Sequence, residues 1–219
     1  QTKTLQDLFS FYVYVRRIMG KEINLMKNYP RTKRDPLARA ASKTEEDRQI
    51  ARKFDKEFFD GDRKFGYGGY NYNPRFWQPV IPDFISYYSL DQNSSILDVG
   101  SGKGFMLHDF REALPEIKVK GIDISSYAIE NSLDDVKQFQ EVADAKDLPF
   151  EDNSFDLAIS IVTLHNLERE DCGKALREIE RVAKDSFITL DAYANEEEKV
   201  AMEGWNLTAL TVMHVDEWK

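Results

Sequence analysis

From Ser94 onward, short apolar runs alternate with stretches of helical spacing. Runs at Ser95–Val99, Lys118–Ile122, Phe139–Val142, Phe155–Ser160 and Ser186–Leu190 predict strands, and Gly104–Leu114, Ser126–Leu133 and Glu170–Val182 predict helices between them. Such alternation predicts an α/β fold with a doubly wound, mostly parallel sheet and helices on both faces. Its loops gather at the carboxyl ends of the strands, where ligands of such sheets bind.

Before residue 94 the pattern differs. Leu5, Leu8, Phe9 and Tyr12 fall at helical spacing, and their apolar face could pack on the body or serve a homodimer. Residues 20–43 are polar and broken at Tyr29-Pro30-Arg31 and Asp35-Pro36. Thr44-Glu45-Glu46-Asp47 reads as a capping box, and Ile50, Phe54 and Phe58 carry a helix from it to about Asp60. Gly61 to Asn73 is a loop rich in glycine and aromatics, and a helix with Phe84, Ile85 and Tyr88 follows Pro82. Residues 1–93 therefore read as a helical extension and lid, and residues 94–219 as the core of one structural domain. The tail, His214-Val-Asp216-Glu-Trp218, reads as a helix start with Asp216 as its N-cap.

Composition narrows the classes. A length of 219 residues with 42% hydrophobic residues suits one full domain. The single cysteine, Cys172, excludes a disulfide framework, and His108, His165 and His214 lie too far apart to form a zinc motif, so no metal is expected. No apolar run approaches the roughly 20 residues that span a bilayer, and no signal-peptide pattern follows Gln1, so a cytoplasmic protein with no membrane partner is expected. A net charge of −9 argues against nucleic acid as a partner. The charge is uneven: residues 1–75 hold 17 Lys and Arg against 10 Asp and Glu, and the remainder 13 against 29. The basic third either meets a small anionic ligand or docks on its own acidic body.

The chemistry centres on Ile96-Leu-Asp98-Val-Gly100-Ser101-Gly102-Lys-Gly104, where an apolar strand enters a glycine-rich turn that opens a helix. Such a turn lets a ligand approach the backbone, and the helix start favours anionic groups. The next strand ends at Asp123, where a carboxylate can accept from both hydroxyls of a ribose. A nucleoside with a small anionic tail fits both features.

The spacing D-x-G-x-G-x-G resembles motif I of the class I S-adenosylmethionine-dependent methyltransferases, which have a Rossmann-like fold. Ala143-Asp144-Ala145 through Phe155-Asp156 is similar to that family's adenine-edge loop and following strand, and Leu176 to Val182 to the helix before its fifth strand. The resemblance runs from about Ser94 to Asp191. It implies S-adenosyl-L-methionine as cofactor, with Gly100, Ser101, Gly102 and Gly104 along its methionine part and Asp98 near its amino group. It further implies Asp123 on the ribose, Ile124 against the adenine, Asp144 and Ala145 at the adenine edge, and Ser160 and Ile161 beside the sulfonium. Asn28-Tyr-Pro-Arg31, Glu57 to Arg63 and Gly66-Tyr-Gly-Gly-Tyr70 resemble small bacterial methyltransferases associated with surface-polysaccharide gene clusters. Class I members close their sheet with an antiparallel strand pair, for which little chain remains after Asp191.

The expected activity is methyl transfer to a small anionic O- or N-acceptor. His165, in the loop after the fourth strand, is the candidate general base, or else a packed ring; Asn166 beside it could hold a polar acceptor. Tyr67, Tyr70 and Tyr72 could wall the acceptor site or cover the cofactor, and Arg31, Arg34, Arg63 and Arg75 could clamp an anion. The alternative is a module that binds S-adenosylmethionine without catalysis. A lyase or propylamine transferase on the same fold lacks its acidic polyamine cluster.

Overall fold

The computed structural model describes residues 20–30, 43–68 and 71–218. The helix expected near Leu5, and Arg31, Arg34 and Tyr70, lie outside these residues.

The sheet contains β1 (Ser95–Val99), β2 (Lys118–Asp123), β3 (Gln140–Val142), β4 (Phe155–Ile161) and β5 (Ala183–Thr189). Their order is β3-β2-β1-β4-β5, and every neighbouring pair is parallel. Chain direction away from the centre reverses between β1 and β4, so the crevice for a ligand opens above their carboxyl ends.

Side-chain alternation divides the core. Ile96, Leu157, Ile159 and Phe187 join one apolar cluster, and Leu97, Val99 and Ala158 join another. Ile81 and Phe84 of α3 (Ile81–Tyr88) and Met106, Leu107 and Phe110 of α4 (Phe105–Ala113) complete the first cluster, together with Leu25 from the N-terminal extension. Cys172, Ala175, Ile179 and Val182 complete the second from one stripe of α7 (Arg169–Val182). Phe84 stands edge-on to Phe187 and Phe110, with ring centroids 4.9 and 6.1 Å away.

The elements depart from the sequence pattern where a local bond outweighs periodicity. The helix expected from Thr44 to Asp60 is two helices, α1 (Glu45–Ala51) and α2 (Lys56–Asp60). The capping box is present at the first, with Thr44 Oγ1 accepting from Asp47 N and the Asp47 carboxylate from Thr44 N. The break falls at Phe54, whose φ is 50°, and the Asp55 carboxylate caps Lys56 N of the new helix. Phe54 still meets the Phe58 ring at 5.2 Å, which is why the apolar spacing runs through the break. Ser126 to Leu133 likewise divides, into α5 (Ser126–Glu130) and the turn before α6 (Asp134–Lys137). β5 begins at Ala183, directly out of α7 and ahead of the expected Ser186.

Beyond β5, the short strands β6 (Ala192–Tyr193) and β7 (Met213–His214) pair in parallel around α8 (Glu196–Trp205). Asp216 lies inside the closing helix α9 (Val215–Trp218) and is not its N-cap; its N–H donates to His214 Nδ1 at 3.2 Å. Among the described residues no helix is long and apolar enough to cross a membrane.

Phe84→Ala removes the ring shared by α3, α4 and β5 and is expected to cost about 3–5 kcal/mol. Urea unfolding measures it; a loss below about 1 kcal/mol would show that this face can repack.

Candidate active site

The turn between β1 and α4 is built by its glycines. Gly100, Gly102 and Gly104 have φ of 86°, 52° and 77°. A Cβ on Gly104 would strike Gln140 and Val136, and one on Gly100 would overlap the Thr163 side chain. Gly102 is the least crowded of the three: the nearest atom to its Cβ site is Phe59 Cε1, in ordinary van der Waals contact at 3.5 Å. Ser101 does not face a ligand, because its buried hydroxyl donates to Ile122 O at 3.2 Å and accepts from Gln140 Nε2 at 2.8 Å.

Asp123, at the end of β2, accepts from Gly102 N at 2.8 Å and Ser125 N at 2.9 Å. Burial raises its pKa, and those N–H groups pull it back. Each of its oxygens retains a lone pair for a further donor. On β1, burial and then the Asp123 charge push the Asp98 carboxyl up to about 7. A cation or N–H donor placed there would offset both costs. These two carboxylates, the glycine turn and an apolar rim fit a nucleoside with a cationic tail rather than the anionic tail expected from the sequence, because buried acids repel an anion. The rim is Ile124, Val142 and Val162, 58%, 52% and 45% exposed, at the carboxyl ends of β2, β3 and β4.

Asp144 stands half-exposed beyond β3, accepting from Lys146 N at 3.0 Å, and Ala145 packs beside it on the second core cluster. Ser160 is fully buried and its hydroxyl donates to Val99 O at 3.0 Å, so its side chain cannot flank a ligand in the crevice; Ile161 is the partly buried neighbour. Val142 and Val162 escaped notice in the sequence, where the last residue of an apolar run carries no sign of its exposure.

The loop after β4 is tightly held. Val162, with a left-handed φ of 53°, donates its N–H to Thr189 O at 3.1 Å and Thr189 Oγ1 at 3.0 Å. A β-branched residue in that conformation stores strain. The loop then makes one helical turn, Leu164–Asn166. His165 is buried, and its Nδ1 accepts from Asp191 N at 3.0 Å. A neutral ring bonded this way carries its proton on Nε2, which lies 3.8 Å from Asp191 Oδ2. Burial holds its pKa down, against the pull of Asp191. Its carbonyl accepts from Leu210 N and Thr211 N at 3.0 and 2.9 Å. Among the described residues, the Asn166 Oδ1 is buried with no hydrogen-bond partner.

Described residues of the N-terminal extension bond to the C-terminal segment. Tyr67 Oη accepts from Leu207 N at 2.7 Å and Thr208 N at 3.3 Å, and its ring lies 6.2 Å from Phe58 and 6.3 Å from Trp205. Arg48 donates to Asn206 O at 2.9 Å and Lys43 to the same oxygen at 3.3 Å, satisfying the carboxyl end of α8 with cations. Tyr72 donates to Asp109 Oδ1 at 2.5 Å; burial and that contact push its phenol up to about 12. Arg63 donates to Gly66 O within its own loop, and Arg75 lies on the Phe76 ring at 4.7 Å. Neither forms the expected anion clamp.

A parallel sheet of this order, with an acid-flanked glycine turn at its switch point, defines a Rossmann-like nucleoside-binding domain. Residues 97–187 match the family described as methyltransferase domain. The tRNA (carboxymethyluridine(34)-5-O)-methyltransferase of Arabidopsis thaliana is 36% identical over 143 residues, 64% of this chain and 33% of that protein. The mitochondrial arginine-hydroxylase NDUFAF5 of Mus musculus is 35% identical over 98 residues, 44% of this chain and 27% of that one. The chain thus spans about a third or less of these curated relatives. Two solved structures share the fold. One is the YcgJ protein of Bacillus subtilis, with TM-score 0.51, 21% identity, and 63% of each chain covered. The other is a chain from the complex of the Haloferax volcanii Trm112 methyltransferase activator, with TM-score 0.53, 20% identity, and 86% of this chain and 74% of that one covered. The match over residues 97–187 is to a methyltransferase domain, a likeness that implies S-adenosyl-L-methionine as cofactor.

The raised Asp98 pKa sets a pH dependence. Between the carboxyl's ordinary value of 3.8 and about 7, the folded cofactor-free protein holds a proton there that the unfolded chain has lost. Stability from this group is therefore full below pH 3.8 and falls as pH rises towards 7. Asp98→Asn is expected to flatten that fall in urea unfolding across the range; an unchanged slope would contradict the assignment.

Proposed function

We propose that this domain transfers the methyl of S-adenosylmethionine to a small anionic O- or N-acceptor. The observation that carries the reading is the crevice at the switch point, where Asp123 both holds the glycine turn and keeps lone pairs for a ribose. In it, Ile124 and Val142 wall the adenine, Asp144 accepts at the adenine edge, and Asp98 meets the amino group beside Gly102. The cofactor, when bound, supplies an electrophilic methyl on a sulfonium whose leaving group is a neutral thioether. The chain's part is alignment and exclusion of water. Val162 and Asn166 border the acceptor, and the Asn166 Oδ1 is free to accept from it.

His165 serves as a positioning residue. Its Nδ1 is occupied and its proton lies on Nε2, so the ring offers no lone pair for a substrate proton. It ties the acceptor loop to Asp191 and, through its carbonyl, to Leu210 and Thr211. An anionic acceptor is supported by the Arabidopsis relative, which is named for O-methylation of carboxymethyluridine in tRNA. The second reading, cofactor binding without methyl transfer, is favoured by the relative named for arginine hydroxylation. A cytoplasmic location fits both.

Asp123→Ala is expected to weaken S-adenosylmethionine binding at least about tenfold by calorimetry, the scale of a hydrogen bond to a charged group; unchanged affinity overturns the ribose assignment. Acceptor-dependent formation of S-adenosylhomocysteine, across free carboxylates, sugar nucleotides, carboxymethyluridine and tRNA, separates methyl transfer from simple binding. His165→Ala is expected to lower kcat at every pH without removing an ionisation from the profile; loss of the acidic limb would restore the general-base role.

A further inference from the structure

The N-terminal cap meets the glycine turn through an ion pair. α2 ends at Asp60, whose Oδ1 lies 2.5 Å from Lys103 Nζ and whose Oδ2 accepts from Tyr127 Oη at 2.7 Å. The Lys103 side chain is only 8% exposed. Burial would raise the Asp60 pKa, but the bonds from Lys103 and Tyr127 outweigh it and hold the carboxyl below its usual range. Lys103 directly follows Gly102, whose N–H is held by Asp123. Consecutive residues of the turn are thus gripped by carboxylates from opposite sides, Asp123 from the sheet and Asp60 from the cap. Tyr127 lies in α5, which starts just after Asp123 and Ser125. Asp60 therefore bridges the elements on both flanks of the nucleoside crevice. Phe59, its neighbour, supplies the atom nearest the Cβ site of Gly102, at 3.5 Å.

We propose that Asp60 is a positioning residue of the cofactor site: its bridge to Lys103 and Tyr127 seats Phe59 over Gly102, so that docking of the cap and retention of the cofactor's amino-acid end are one event. This rests on the reading that the glycine turn holds S-adenosylmethionine. Without Asp60 the buried Lys103 ammonium loses its bond to the cap, and the cap's hold on the glycine turn weakens. The bridge acts after the cofactor has entered, so its loss shows in departure more than arrival.

Stopped-flow displacement of S-adenosylhomocysteine tests the proposal. Asp60→Asn is expected to raise the dissociation rate about tenfold while changing the association rate little. Asp60→Glu restores most of the retention, which a merely structural position would not allow. Lys103→Met gives a similar rise, and the double variant gives less than the product of the two effects, because both break one bridge. Tyr127→Phe removes only a hydroxyl and carries the test should Asp60→Asn unfold; it is expected to speed departure about threefold. Wild-type dissociation in Asp60→Asn or Tyr127→Phe, or multiplicative effects in the double variant, overturns the proposal. Asp123→Ala separates the two readings. Wild-type affinity there removes the glycine-turn site itself, whereas weak binding there with wild-type kinetics in Asp60→Asn removes only the bridge.

Discussion

Two backbone N–H groups on one carboxylate organise this molecule. Asp123 takes Gly102 N from the turn after β1 and Ser125 N from the turn after β2. It thereby pins together the loops that follow adjacent parallel strands. The direction of α4, the start of α5 and the mouth of the crevice all follow from that junction. The carboxylate is buried, so its charge is tolerated through these charge-assisted bonds. The second acid, Asp98, is pushed up by burial and by the Asp123 charge.

The N-terminal extension is tied to the C-terminal segment. Tyr67 holds the backbone at Leu207 and Thr208, while Lys43 and Arg48 reach the carbonyl of Asn206. The positive charge concentrated in the first third of the chain is therefore spent in part on the carboxyl end of α8. This agrees with the plainer of the two meanings that the charge asymmetry allowed. The loop after β4 is fastened to the same segment through the carbonyl of His165 and the N–H groups of Leu210 and Thr211. The C-terminal segment and the loop after β4 are thus mechanically joined.

The sheet was readable from sequence because period-two alternation, as in Ile96 and Leu97, decides which core each side chain enters. The glycine turn and the acids flanking it were readable because their spacing is local. What escaped were features set by partners distant in the chain. Ser160 and Ser101 look available in a motif, yet their hydroxyls are consumed by Val99 and Ile122 carbonyls. His165 has the pKa of a general base as a free side chain, but Asp191 N occupies its Nδ1. The bridge from Asp60 to Lys103 spans 43 positions, and the Tyr67 bond to Leu207 spans 140. The break at Phe54 was hidden because its ring keeps contact with Phe58 on both sides of a left-handed residue.

Hydrogen–deuterium exchange with and without S-adenosylhomocysteine examines the central claim most directly, since it reads the backbone groups that form the site. The account predicts slowed exchange at residues 100–104, 123–126 and 143–145, with little change along the amino ends of the strands. Protection confined to other segments, or none at these with the ligand bound, would contradict it.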